Sequence, residues 1–370
     1  MTMTRDLRYR CLLLFLVNVV SSIKIAGCLK YAAPMASSTM IEKASVAQRL
    51  LDRVRNNNRA GDTLSVPFLV GNQHMGNVLP QAVQAFSDYP SVFSVTRKGL
   101  QLIDHSDWCT TTTGDLVDLR SQAVHDVLLH LRHQNIIPAL QGWRDERFAV
   151  RASFHAPPAL FIERAAAVLF GVPAYGVFLN GYTVEEHRGL DDDDDDETKV
   201  VTGSIPHHPT HVWVGRRSTS KATWPGRLDS LAAGGLAAGV LPLQAMIQEC
   251  AEEAGLDVSQ PRAASAVSYT GFNEDGWGLK RDVLFCFDLE LPPDFQPRPV
   301  DGEMDSNEKI PVHTLLKLLA MPVSPDDSNN AWKPNVGVVL IDFLVRHGFV
   351  DVNDPAFLEL IVELRGARCA

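Results

Sequence analysis

Three glutamates near the end of one predicted helix are the residues of this 370-residue sequence best suited to chemistry. Glu249, Glu252 and Glu253 lie in the last turns of a segment, 241–254, that we predict to be helical. Carboxylates one turn apart repel each other by about a few tenths of a kcal/mol per pair. The helix dipole also disfavours anions at this end. A divalent cation would remove the repulsion, and Mg²⁺ commonly binds a couple of carboxylates together with substrate phosphates.

Such an ion would favour the hydrolysis of a diphosphate. It would neutralise the charge of the phosphates and lower the pKa of bound water, while a further carboxylate accepts the proton of the attacking water. A simpler interpretation is a solvated acidic face on an amphipathic helix, which the helix alone favours. Its apolar stripe is formed by residues at helical spacing, Leu243, Met246, Ile247, Cys250 and Ala254.

The spacing around this helix shifts the balance towards chemistry, because it resembles the Nudix box, G-x5-E-x7-R-E-U-x-E-E-x-G-U, where U is a bulky apolar residue. Seven positions match: Gly234, Glu249, Cys250, Glu252, Glu253, Gly255 and Leu256. Val240 stands where the pattern has Glu, and Gln248 stands where it has Arg. The resemblance implies that Glu249 and Glu253 are the principal ligands of Mg²⁺ (or Mn²⁺). Glu252 would be a further ligand or the general base, so Glu252 and Glu253 are the predicted catalytic residues.

The flanking segments are similar to the thiamine pyrophosphokinase-related subgroup of Nudix proteins, whose members often lack the first glutamate of the box. The similarity extends from about residue 45 to 365, and Phe178 departs from it at a position where members commonly have His. The segments that resemble the subgroup include 163–164, 224–229, 281–285, 301–303 and 333–335. It implies hydrolysis of thiamine diphosphate, or of its damaged oxo and oxy forms, to the monophosphate. Four residues are candidates for substrate binding: Arg216, Arg217, Lys221 and Glu303.

Two alternative functions stay open at this stage. One is a Nudix hydrolase for a nucleoside diphosphate compound such as ADP-ribose. The other is a catalytically weak binding module, which Gln248 favours because it lacks the charge of the usual arginine. Retention of all three glutamates argues against the binding module.

The helices and strands predicted around these residues indicate an α/β protein. In it, a smaller mixed α/β domain precedes a Nudix α/β/α sandwich. We place a targeting segment at 1–40, the first domain at 41–185, an acidic disordered loop at 186–205 and the Nudix domain at 206–370. Helical periodicity predicts helices over 45–56, 118–133, 162–170, 312–319, 336–347 and 354–364. Alternating apolar residues predict strands over 148–154, 211–216 and 282–290.

Charge and cysteine content exclude several classes of protein. The formal net charge is −10, and outside the seven acids of 191–197 it is only −3, so no basic surface for nucleic acid is predicted. The six cysteines form no C-x-x-C pair, which argues against a disulfide framework and a zinc site. The expected partner is a small-molecule diphosphate, with no nucleic acid and no stable membrane span in the mature protein. The sequence leaves the oligomeric state open.

The first forty residues have the composition of a targeting sequence. Arg5, Arg8 and Arg10 precede an apolar stretch, 11–20, in the order of a secretory signal. Residues 31–40 are rich in Ala and Ser and contain no acid, as in a transit peptide. A signal followed by a transit sequence predicts import into a plastid. The alternative is translation from Met35 or Met40, which would leave the protein in the cytoplasm.

Overall fold

The structure is a computed structural model that describes residues 44–58, 60, 64–105, 108, 113–185, 208–221, 223–257, 261–273, 275–298, 302–323 and 331–366. The predicted targeting segment, 1–40, and the predicted acidic loop, 186–205, lie outside the described residues. From Ser45 onward the chain forms one compact unit. Within the described ranges, no helix is long and apolar enough to cross a bilayer.

The chain begins with helix α1 (Val46–Asn57), which starts at Ser45 because the Ser45 hydroxyl accepts a hydrogen bond from Gln48 N. Next come β1 (Val66–Val70), β2 (Gln73–Val78), helix α2 (Pro80–Ser87), β3 (Phe93–Thr96) and β4 (Gly99–Leu102). The four strands form one sheet in the order β2-β1-β4-β3. Helix α3 (Thr113–His133), the hairpin of β5 (Arg147–Val150) and β6 (Leu160–Glu163), and the short helix α4 (Ala167–Phe170) complete this region.

Aromatic side chains hold the first region together. The Phe170 ring lies 4.8 Å from the Phe68 ring and 4.7 Å from the Phe86 ring, centroid to centroid. All three are fully buried, so strand β1 and helices α2 and α4 share one core. Burial of one such aromatic side chain stabilises the fold by about 2–3 kcal/mol.

The second region is built on a seven-stranded sheet. Its strands are β7 (Pro173–Thr183), β8 (His211–Arg217), β9 (Leu228–Ser230), β10 (Ala232–Gly235), β11 (Arg262–Phe272), β12 (Leu279–Glu290) and β13 (Met304–Pro311). Five strands are hydrogen-bonded in the order β11-β12-β7-β8-β13, while β10 also pairs with β7 and β9 with β8. Its helices are α5 (Pro242–Ala254), α6 (Val312–Leu319), α7 (Pro334–Arg346) and α8 (Phe357–Glu363).

Helices cover both faces of this sheet, which confirms the predicted α/β sandwich preceded by a mixed α/β region. Alternate residues of a strand point to opposite faces. Val177 and Leu179 of β7 therefore pack against α5, while Phe178 faces the core that contains α7. Helix α1 also packs in the α7 core, so the first helix of the chain closes the second sheet.

Most of the predicted elements are present, but two were wrong. Residues 162–170 were predicted as one helix, whereas the chain forms strand β6, a single 3-10 turn at Arg164–Ala166 and the short helix α4. The predicted strand 148–154 ends at Val150. The predicted division into domains at 41–185 and 206–370 stays a prediction; strand β7, from the first of these segments, lies in the middle of the second sheet.

A buried carboxylate on β12 ties the sheet to α7. Asp288 accepts hydrogen bonds from Asn180 (3.0 Å), His347 (3.1 Å) and Arg346. Burial pushes the pKa of Asp288 upwards, but the hydrogen bonds from His347 and Arg346 outweigh it and hold the pKa at about 2. Because this pKa is depressed, the charged side chain stabilises the fold above its ordinary pKa of about 4, and that stabilisation disappears as pH falls towards 2.

We expect Asp288→Asn to lower the free energy of unfolding by about 2 kcal/mol or more at pH 7, since the shift in pKa alone corresponds to that amount. The difference from wild type should shrink as the pH is lowered from about 4 towards 2. Urea unfolding at several pH values measures it. A difference that is constant over this range would show that the Asp288 charge does not contribute.

Candidate active site

Helix α5 places two of the three glutamates against the sheet. It begins at Pro242, a residue suited to the first helical position, and ends at Gly255, whose φ of 63° is left-handed. Met246, Cys250 and Ala254 are buried against the sheet as predicted, whereas Leu243 at the start of the predicted stripe is 44% exposed. The buried stripe fixes the rotation of the helix and so determines where its carboxylates lie.

Glu253 is the most buried of the three glutamates, with 3% of its surface exposed. Its carboxylate accepts a hydrogen bond from Ala233 N on β10 at 2.6 Å. Burial raises its pKa to about 8; the Ala233 hydrogen bond opposes this, and Asp229, Glu249 and Glu303 add to it. Three further acids thus lie near a carboxylate that burial already disfavours as an anion, and a cation would be favoured here.

Glu249 lies directly against Gly234, the first residue of the box. A Cβ atom added to Gly234 would lie 1.7 Å from Glu249 Oε1, so a larger residue would force this carboxylate out of its position. The glycine is thus required by close approach of the side chain to the backbone of β10. This contact accounts for the spacing between Gly234 and Glu249 that the sequence displays.

We expect Gly234→Ala to displace the Glu249 carboxylate and to lower kcat by about 10²-fold, which corresponds to nearly 3 kcal/mol. Gly142→Ala is the control, since a Cβ at Gly142 meets nothing within 4 Å and its backbone is not left-handed. Steady-state rates of diphosphate hydrolysis separate the two variants. Equal activity of Gly234→Ala and wild type would contradict the steric argument.

Glu252 lies on the exposed side of α5. Its Oε1 accepts a hydrogen bond of 3.0 Å from Gln248 Nε2, one turn earlier. Gln248 therefore holds a neighbouring glutamate by a neutral hydrogen bond at the position where the box has an arginine. This exposed carboxylate is accessible to water, as a general base must be.

The residues present suit a divalent ion bound jointly with a substrate. Within the described part of the chain, no three Asp, Glu, His or Cys side chains are close enough to hold an ion by themselves. Mg²⁺ keeps several waters and binds through one or two carboxylates plus substrate phosphates, so it does not need such a cage. Glu249 and Glu253 could supply those carboxylates, and Asp229 and Glu303 lie close enough to Glu253 to raise its pKa further than burial alone does.

The four predicted substrate-binding residues divide into two pairs. Lys221 and Glu303 form an ion pair of 2.7 Å, and Glu303 is close enough to Glu253 to raise its pKa. Arg216 instead pairs with Glu308 at 2.7 Å, and Arg217 is buried against Asp229. All four residues serve in ion pairs; the pairs of Lys221 and Arg217 contain acids that act on Glu253, whereas the pair of Arg216 does not. The substrate-binding assignments stay predictions.

Sequence reasoning assigned no role to two charged residues near this cluster, Asp229 and Lys333. Asp229 is 1% exposed and is held between Arg217 Nη1 (2.7 Å) and Lys333 Nζ (2.9 Å). Burial would raise the pKa of Asp229, but Lys333 and Arg217 outweigh it and lower the pKa. Lys333 Nζ also lies 5.7 Å from the centre of the Phe178 ring. Phe178 is the residue that stands where the subgroup commonly has His.

A second carboxylate that Lys333 affects is Asp282, which lies on β12. Burial raises the pKa of Asp282 to about 6, against the opposing effects of Lys280, Lys333 and Arg164. Arg164 comes from the first region of the chain and pairs with Glu146 at 2.5 Å. Asp282, Lys333 and Arg164 belong to three of the segments that carry the subgroup resemblance. That resemblance was the signal by which they could have been found.

Comparisons with known proteins agree with this geometry. A family model described as "NUDIX domain" matches residues 198–329, and one described as "Domain of unknown function (DUF4743)" matches residues 49–174. Nudix hydrolase 20, chloroplastic, of Arabidopsis thaliana is 35% identical and is matched over 86% of this chain and 78% of its own length. Nudix hydrolase 24, chloroplastic, of the same plant is 32% identical over the same shares.

A third relative, an uncharacterized protein of Saccharomyces cerevisiae, is 30% identical over 67% of this chain and 68% of its own length. These relatives span both regions of the chain, and the matched NUDIX segment contains Gly234, Glu249 and Glu253. The chain therefore belongs to the Nudix hydrolase family and is a Nudix pyrophosphohydrolase whose catalytic domain follows a domain of unknown function.

Proposed function

We propose that this protein hydrolyses thiamine diphosphate and its oxidised or damaged analogues to the monophosphate. The observation that carries the proposal is the ion pair of Asp229 with Lys333, in which Asp229 lies close enough to Glu253 to raise its pKa. Both residues of the pair belong to segments that resemble the thiamine-related subgroup. The segments that distinguish this subgroup thus contribute to the acidic cluster itself.

In this reaction a water oxygen forms a bond to one phosphorus, the bridging P–O bond breaks, and inorganic phosphate and the monophosphate are released. Glu249 and Glu253 would hold Mg²⁺ or Mn²⁺, which when bound would neutralise the diphosphate and lower the pKa of attached water. Glu252 is the proposed general base, because its exposed carboxylate can take the proton of the attacking water. Gln248 keeps that carboxylate oriented.

A substrate panel tests the proposal. Thiamine diphosphate, oxythiamine diphosphate and ADP-ribose are compared in Mg²⁺ with the full chain, with kcat/KM measured from product release by chromatography. We expect the two thiamine compounds to exceed ADP-ribose by at least tenfold, and oxythiamine diphosphate to be the better of the two. A preference for ADP-ribose would refute the thiamine assignment.

We also propose that the protein acts in a plastid. The basic and apolar start of the chain followed by an acid-free stretch supports this, as do the chloroplastic names of two Arabidopsis relatives. Residues 1–44 fused to a fluorescent protein should direct it into the plastid, whereas the same fusion begun at Met40 should stay in the cytoplasm. Cytoplasmic fluorescence from the longer fusion would contradict the proposal.

A further inference from the structure

Trp224, in the loop between β8 and β9, has a backbone conformation that its own side chain disfavours. Its φ is 52°, in the left-handed region, where the Cβ atom of an L-residue crowds the following carbonyl oxygen. Glycine and asparagine occupy this region far more readily than a bulky aromatic residue does. The tryptophan is therefore a strained residue, and strained residues cluster at functional sites.

Packing of the core does not account for this tryptophan. Trp224 belongs to none of the hydrophobic clusters of the described residues, whereas Trp213 and Trp332 are buried in two of them. The Arg227 guanidinium lies 5.0 Å from the centre of the half-buried Trp224 ring. At an accessible site such a contact stabilises by about half as much as the left-handed conformation costs. Folding alone therefore gives little reason for an aromatic ring at this position.

The strained conformation is held by the buried Arg217 at the end of β8. Arg217 Nη2 donates a hydrogen bond to the carbonyl oxygen of Thr223 (3.0 Å), and Nε donates one to that of Trp224 (3.2 Å). Nη1 of the same guanidinium pairs with Asp229 at 2.7 Å. One planar group thus links the backbone of Trp224 to the Asp229 carboxylate.

This link places the loop on the sheet face that carries the catalytic helix. Trp213 of β8 is buried in the cluster that contains residues of α5. Alternate residues of a strand share a face, so Arg217, four positions after Trp213, points to the α5 face as well. Asp229 is paired with Gly215 in the strand register and therefore lies on this face too.

A second contact brings the same loop to the acidic cluster. Lys221 pairs with Glu303 at 2.7 Å, and Glu303 is close enough to Glu253 to raise its pKa, as Asp229 also does. Trp224 lies between Lys221 and Asp229 in the chain. Both flanks of the loop are thus bound to acids that act on Glu253, and the loop borders the candidate site.

We propose that Trp224 is a specificity-determining residue, whose indole ring packs against an aromatic or heteroaromatic ring of the substrate. Such rings pack favourably against an aromatic side chain in stacked or edge-to-face arrangements. The grip of Arg217 on the loop would fix the orientation of the indole before the substrate binds, which reduces the entropic cost of binding. This inference rests on the proposed diphosphate hydrolysis and extends it to the organic part of the substrate, which presents a flat ring to Trp224.

Trp224→Gly tests the inference, because it removes the ring and relieves the strain together. The probes contain no anhydride that could be hydrolysed: thiamine monophosphate and AMP carry a ring, and methylenediphosphonate is a diphosphate analogue without one. Calorimetry on the full chain in Mg²⁺ gives their dissociation constants. Trp224→Gly should weaken thiamine monophosphate at least tenfold and change methylenediphosphonate by less than twofold. It should not lower the melting temperature, because relief of the strain offsets the lost contact with Arg227.

Asn135→Gly is the matched control. Asn135 also has a left-handed backbone, with a φ of 55°, but it follows helix α3 in the first region of the chain. Its substitution should change the binding of no probe by more than about twofold. Trp224→Phe keeps an aromatic ring and should retain the affinity for thiamine monophosphate within about threefold.

The outcomes separate this inference from the proposed function. Weakened binding of AMP in Trp224→Gly, in a protein that does not bind thiamine monophosphate, would keep the aromatic contact and refute the thiamine assignment. Hydrolysis of thiamine diphosphate, with binding of thiamine monophosphate unchanged in Trp224→Gly, would keep the function and overturn the aromatic contact. Equal weakening of thiamine monophosphate and methylenediphosphonate would also overturn it, because Trp224 would then support the site as a whole rather than the ring.

Discussion

Replacement of Glu253 by glutamine is expected to lower kcat in Mg²⁺ by about 10³-fold, which corresponds to roughly 4 kcal/mol of transition-state stabilisation. The substituted amide can still accept the hydrogen bond from Ala233 N through its oxygen, so the packing of α5 on β10 is preserved. What disappears is the negative charge that a divalent ion requires. Initial rates of thiamine diphosphate hydrolysis, measured over a range of Mg²⁺ concentrations, determine the loss.

A second measurement distinguishes loss of the ion from loss of the fold. Mg²⁺ should raise the melting temperature of the wild type, because a ligand that binds only the folded state stabilises it, and should leave that of Glu253→Gln unchanged. Asp257→Asn is the control, since Asp257 is an exposed carboxylate just beyond the same helix and should leave both measurements unchanged. Equal turnover by wild type and Glu253→Gln would refute the assignment of Glu253 as a metal ligand.

The core of the candidate site could be predicted because it is local in sequence. Glu249, Glu252 and Glu253 belong to one helix whose apolar stripe and terminal glycine are visible in the residues. The pairing of Gly234 with Glu249 follows from their spacing once the loop and helix are recognised. Local periodicity identifies the buried stripe of such a helix, but it did not predict that Glu253 is buried beside the stripe while Glu252 is exposed.

Residues brought to the site by long-range contacts could not be predicted in the same way. Arg164 approaches Gly235 across 71 positions of sequence, and Lys333 reaches Asp229 across 104. No periodicity encodes such pairings, because they depend on how the strands associate. The segment 162–170 shows a related limit, since a short apolar run fits a strand or a helix equally well, and the tertiary structure divides it between β6 and α4.

The buried acid Asp229 provides the prediction with the largest effect on stability. Its carboxylate lies between two cations, Arg217 and Lys333, and 1% of its surface is exposed. Asp229→Asn would leave two cations facing each other without the charge that compensates them. Breaking a buried ion pair in this way costs about 3–5 kcal/mol. We therefore expect the free energy of unfolding to fall by about that amount at pH 7, as measured by urea denaturation.

Glu308→Gln is the matched control, because it removes one acid from a pair with Arg216 in which both side chains are about 40% exposed. Solvent screens such a pair, so its loss should cost less than about 1 kcal/mol. Similar destabilisation by the two variants would show that burial of Asp229 does not set its contribution. Asp229 joins the resembling segments 224–229 and 333–335 directly, through its ion pair with Lys333. Its charge also acts on Glu253 of the catalytic helix, so one buried carboxylate affects both the stability of the fold and the candidate site.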